Sequence, residues 1–93
     1  MSIINVGLCE GRHPIPVQEY VFPAVINPLD VEGLQETADQ FVKLHKDEEI
    51  HLYVTGLTIA AMAVVKACIK INASLILYHY DRDSGEYYPQ KML

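Results

Sequence analysis

Two short clusters in this 93-residue chain carry residue types suited to handling a phosphate. The first is Glu10-Gly11-Arg12-His13, which supplies a carboxylate, a flexible backbone position, a guanidinium and an imidazole in succession. The second is Thr55-Gly56-Leu57-Thr58, where an apolar run ends and a helical pattern begins. Free backbone N–H groups and the positive end of a helix dipole meet at such a point and favour an anion. Arginine adds bidentate recognition of phosphate, and an imidazole titrating near neutrality suits general acid work. The same residues also have a purely structural reading: Thr55 and Thr58 as helix caps, Gly56 as the residue of a tight turn, and His13 as an exposed loop histidine.

Other candidate groups read as structural. His51 and His79 fall in strand patterns, and His45 falls late in a helix, all without metal-ligand spacing, so no metal site is expected. Asp81-x-Asp83-x-Gly85 lacks the closing glutamate of a calcium loop and sits between two strand patterns, as a hairpin turn does. Cys9 has no orienting third group and reads as a small buried thiol rather than a nucleophile. Tyr78, Tyr80, Tyr87 and Tyr88 gather on the final hairpin, where tyrosine rings either stack on nucleobases or pack against a protein partner.

The elements that must position these groups follow from periodicity and breakers. Ile3 to Leu8 is a β-prone run, apolar on both faces apart from Asn5, as in a parallel strand. Gly11 to Pro16, with two prolines separated by one residue, is expected to be extended. Val17 to Ile26 has strand composition, but Pro23 demotes it to an edge strand or a covering loop. Asn27 as cap and Pro28 in the first turn predict the start of a helix. Its apolar stripe is Val31, Leu34, Ala38, Phe41 and Val42, extending to His45. A charged connection, 46–49, leads to a strand over Ile50 to Val54. The helix from Thr58 to Ile71 is apolar nearly all round, so two of its sides are expected to be buried, one on the sheet and one on a second subunit. Asn72-Ala73 closes it, Ser74 to Tyr80 is the next strand, and Glu86 to Gln90 returns as a short edge strand.

Composition narrows the function classes. The net charge of -5, from 12 acidic against 7 basic side chains, argues against an extended grip on duplex nucleic acid, though not against one small anion in a local pocket. Hydrophobic residues make up 51% and charged residues only 20%, a lean charged surface that points to oligomerisation. The longest apolar run, Ile59 to Val65, is too short to span a bilayer, and the N-terminus lacks a basic signal-peptide region. Two cysteines, Cys9 and Cys68, without paired spacing suit a reducing, cytoplasmic setting. The expectation is one domain over 1–93: α/β, a small Rossmann-like sandwich with a mostly parallel central sheet, two main helices and a C-terminal β-hairpin.

The strand-turn-helix LYVTGLTIAAMAVVKAC, followed by a strand ending in a tyrosine-rich hairpin, resembles small Rossmann-like proteins of type III CRISPR systems and their phage counterparts. These are the CARF-like sensors and ring nucleases that bind cyclic oligoadenylates. Arg12-His13-Pro14 is similar to an Arg-His-Pro segment of one small ring-nuclease group. The resemblance covers about half the chain. Thr-Gly-Leu-Thr stands where many such sensors have Thr-Gly-Gly-Thr-Lys, and Arg12 is the candidate substitute for that lysine.

The resemblance implies a homodimer with its site at the strand carboxyl ends near the two-fold axis. It implies metal-independent cleavage of cyclic oligoadenylate without a cofactor, a ribose 2'-hydroxyl attacking the adjacent phosphate. Glu10, Gly11, Thr55, Gly56, Leu57 and Thr58 would line the ligand, Arg12 would hold the phosphate, and His13 would protonate the leaving oxygen. Two other classes stay open: capture of a cyclic nucleotide without cleavage, and a protein-interaction module built on the apolar helix and the tyrosine hairpin.

Overall fold

The structure, a computed structural model, describes residues 2–11, 15, 17 and 19–93. Five strands and two helices follow in the order β1 (Ile3–Cys9), β2 (Glu19–Phe22), α1 (Val31–Leu44), β3 (Glu49–Tyr53), α2 (Thr58–Ile71), β4 (Ser74–Asp81) and β5 (Glu86–Lys91). The strands form one sheet in the order β2-β1-β3-β4-β5. The first four are parallel to one another, and β5 pairs antiparallel with β4 as a hairpin. The architecture is thus α/β with a mostly parallel sheet and a C-terminal hairpin, as the sequence predicts.

Alternation along the strands sorts the side chains onto two faces. Ile4, Ile50 and Leu75 share one register row, and Val6, Leu52 and Leu77 the next. Apart from half-buried Ile4, these residues are buried, together with Leu34, Ala38 and Val42 of α1 and Ala60, Val64, Ala67 and Cys68 of α2. The two helices also pack on each other, so both cover this one face. Two successive right-handed crossovers running in one direction along a sheet produce that arrangement. The opposite face carries Asn5, His51 and Ile76 in one row and Tyr20, Gly7, Tyr53, Tyr78 and Pro89 in the next.

Helix α1 begins later than the sequence suggests. Asn27 does not cap it, and Pro28 is not in its first turn; the Asp30 N–H instead donates to the Asn27 carbonyl at 3.1 Å and the Leu29 N–H to the Asn27 side chain at 3.0 Å. Asparagine and proline here close a β-turn, and the cap passes to Asp30, whose carboxylate accepts from the Gly33 N–H at 3.1 Å. Val31 consequently sits at the exposed start of the helix rather than in its buried stripe. The expected edge strand is real but short, since β2 stops at Phe22, immediately before Pro23.

Helix α2 is buried along one broad side, against the sheet and α1, while Met62, Ile69 and Ile71 stand exposed on the other. Asn72 ends it in the left-handed region at φ 55°, its N–H reaching the Ile69 carbonyl. No helix among the described residues is long and apolar enough to cross a membrane.

Candidate functional site at the β1/β3 strand ends

The strand order creates a divide between β1 and β3. The chain leaves β1 for β2 on one side, whereas it leaves β3 through α2 for β4 on the other. The loops therefore part above these two strand ends, and in open parallel sheets ligands bind in the crevice formed there. Glu10 and Gly11 follow β1 at this point, and Thr55, Gly56, Leu57 and Thr58 follow β3, so these six residues share one edge of the sheet. Arg12, His13 and Pro14 lie outside the described residues, as does most of the expected extended segment.

Thr55 is buried at 1% exposure, and its hydroxyl spans the divide. It donates to the Cys9 carbonyl at 3.1 Å and accepts from the Cys9 N–H at 3.3 Å. Both bonds join residues 46 apart in sequence. Neither threonine caps α2, so the structural reading of this turn needs correcting. The N-cap is Leu57, which has no hydrogen-bonding side chain, while Thr55 ties the two strand ends together and Thr58 stands exposed in the first turn. Sequence shows only the residue types; which backbone the hydroxyl meets depends on strand pairing.

Gly56 takes φ +97°, a backbone conformation that side-chain-bearing residues rarely adopt, and this turns the chain sharply into the helix. The Leu57 carbonyl accepts from the Ala60 and Ala61 N–H groups at 3.1 and 3.2 Å. The first turn of α2 thus opens on the crevice with no side-chain cap and no acidic residue. A helix start of this kind, with its leading N–H groups and the positive end of its dipole, favours an anion in general. Glu10 is exposed on the β1 side, and its N–H is held by the Phe22 carbonyl at 3.1 Å.

The tyrosines divide by strand parity. Tyr78, Tyr80 and Tyr87 lie on the face opposite the helices, whereas Tyr88 pairs with His79 and contacts its ring at 5.5 Å on the other face. Sequence reasoning missed Tyr53, which stacks on Tyr78 with centroids 4.8 Å apart and planes 12° apart. Its signal was the alternation Ile50-His51-Leu52-Tyr53, two buried aliphatics interleaved with two aromatic rings. Tyr87 meets Tyr53 edge-on at 5.1 Å and Tyr80 at 5.3 Å. Burial raises the Tyr53 and Tyr87 phenols above their ordinary value, with neighbouring tyrosines adding to the shift, so these two stay neutral at physiological pH.

The histidines are engaged locally: His45 with Glu48 at 2.7 Å, His51 with Glu49 at 2.6 Å and His79 with Gln90 at 2.7 Å. Among the described residues no three metal-ligating side chains gather into a candidate site. A groove between α1 and α2, lined by Val31, Leu34, Gln35, Ile59, Met62 and Lys66 among others, is mainly apolar and begins at the first turns of the two helices.

No protein-family model matches the chain, nor does any curated protein or solved structure. The class is defined by the fold alone: an α/β protein whose strand order reverses between β1 and β3.

Proposed function

We propose that the protein binds a cyclic oligoadenylate at the β1/β3 crevice and turns it over without a metal, as a ring nuclease of type III CRISPR defence or of a phage opposing it. The observation that carries the reading is the uncapped, acid-free start of α2 opening at the strand-order reversal. The amides of Leu57 and Thr58 hold a phosphate, and Glu10, an acceptor, suits a ribose hydroxyl rather than the anion. Arg12 adds charge stabilisation and His13 donates a proton to the leaving 5'-oxygen as the 2'-hydroxyl attacks in line. The protein works in the cytoplasm as a homodimer, with exposed Met62 and Ile69 of α2 in the subunit contact.

Binding without cleavage is the second reading. It is favoured by the commitment of the Thr55 hydroxyl to Cys9, which leaves the chemistry to Arg12 and His13 alone.

Incubating the protein with a panel of cyclic oligoadenylates in EDTA, followed by mass analysis, tests both. Linear products ending in a 2',3'-cyclic phosphate, lost in His13→Ala, establish turnover. Intact ligand recovered from a tight complex establishes capture. Absence of any binding removes both readings and directs attention to a protein partner.

A further inference from the structure

The face of the sheet that the helices leave uncovered is aromatic where it approaches the crevice. Tyr53 is the last residue of β3 and lies two residues before Thr55, at most about 7 Å along the chain. Tyr78, Tyr87 and Tyr80 continue the cluster across β4 and β5. The Tyr53 and Tyr78 rings are already stacked, and Tyr80 is 47% exposed beside them. The Tyr87 hydroxyl is buried and has no hydrogen-bond partner among the described residues.

We propose that this tyrosine cluster is a nucleobase subsite: a base lies against the exposed Tyr80 ring, at the edge of the stacked Tyr53 and Tyr78 rings. The inference rests on the reading of the crevice as a phosphate site and adds the part of the ligand that the crevice does not hold. Preformed ring stacks bind planar heterocycles with little loss of side-chain freedom, and stacking tolerates any base. Charge sets the direction of the ligand. Asp81, Asp83 and Glu86 outnumber Arg82 around the hairpin turn, so a phosphate is disfavoured there and favoured at the start of α2.

The test compares 5'-phospho-diadenylate with its abasic counterpart by calorimetry and by tyrosine emission, a clean signal because the chain has no tryptophan. The base-containing probe is expected to bind about tenfold more tightly and to quench the emission. Tyr80→Leu is expected to erase that difference while abasic affinity is unchanged, and Tyr87→Phe, which keeps the ring and removes only a buried hydroxyl, to leave it in place. Melting curves confirm that both variants fold. Equal affinity for the two probes, with the abasic probe bound, overturns the subsite and leaves the phosphate crevice standing. So does a Tyr80→Leu variant that changes only self-association in sedimentation. Failure of both probes to bind overturns the subsite and the crevice together.

Discussion

The Thr55 hydroxyl clamps the carboxyl end of β1 to that of β3 through two hydrogen bonds to Cys9, one to its carbonyl and one from its N–H. Because the clamp is buried and joins the two strands that flank the crevice, it couples the stability of the fold to the shape of the site. Thr55→Val keeps the volume and loses both bonds. It is expected to destabilise the protein by about 1–3 kcal/mol, the cost of stranding buried polar groups. Urea unfolding should show a lower midpoint with the same slope, and Thr55→Ser should recover most of the loss. An unchanged Thr55→Val midpoint would show that the clamp contributes nothing.

Gly7 lies beneath two side chains on the open face. A Cβ there would come within 2.5 Å of the Tyr20 ring and 2.7 Å of Ile15, closer than atoms in folded proteins approach. Gly7→Ala is expected to cost about 1–3 kcal/mol through displacement of these side chains. Thermal melting of Gly7→Ala alone and in combination with Tyr20→Ala checks the mechanism, since removing the ring should make the alanine substantially less damaging.

Asp39 joins the two helices by accepting from Lys70 at 3.0 Å, with Gln35 donating to its other oxygen at 3.0 Å. Those bonds, Gln35 first and Lys70 second, hold the carboxyl below its usual 3.8. A depressed folded-state value means that the contribution is present above pH 3.8 and is lost as pH falls through the lower folded value. The pair is solvent-exposed, so the effect is small, about 0–1 kcal/mol. Asp39→Asn should flatten the acid limb of stability against pH below about 4 and leave stability at neutral pH little changed, as urea unfolding at a series of pH values would show.

Burial pushes the Cys68 thiol up to about 11, and Cys9 is buried as well. Thiolate is the reactive form, so both cysteines should resist a disulfide reagent at pH 8 in the native protein and react fully in urea. Labelling kinetics then report opening of the core. Rapid native labelling of the Cys9→Ala variant would show that Cys68 is accessible, against its burial on the core-facing side of α2.

Periodicity alone determined much of this protein. Alternation and apolar runs marked the strands around Val6, Leu52 and Leu77, and the 3.6-residue spacing of Leu34, Ala38 and Val42 marked the covering helix. Pro23 and Asn72 ended their elements through restrictions that belong to the residues themselves. These signals are legible because each depends on neighbours a few positions away. The start of α1 was not legible, because Asn27 and Asp30 are both good caps and the turn formed by Pro28 decided between them.

Tertiary structure alone decided what the site residues do. Nothing in a Thr-Gly-Leu-Thr turn shows that Thr55 is spent on a backbone 46 residues away while the helix start it precedes is left uncapped. The four hairpin tyrosines look alike in sequence, yet pairing sends Tyr88 to the helix-bearing face and joins the other three with Tyr53. Strand order, with β1 and β3 side by side and their connections leaving in opposite directions, is what brings residues 10–11 and 55–58 to one edge. Residue types are a local property of the chain, whereas order and register are set by burying two helices and five strands around one core.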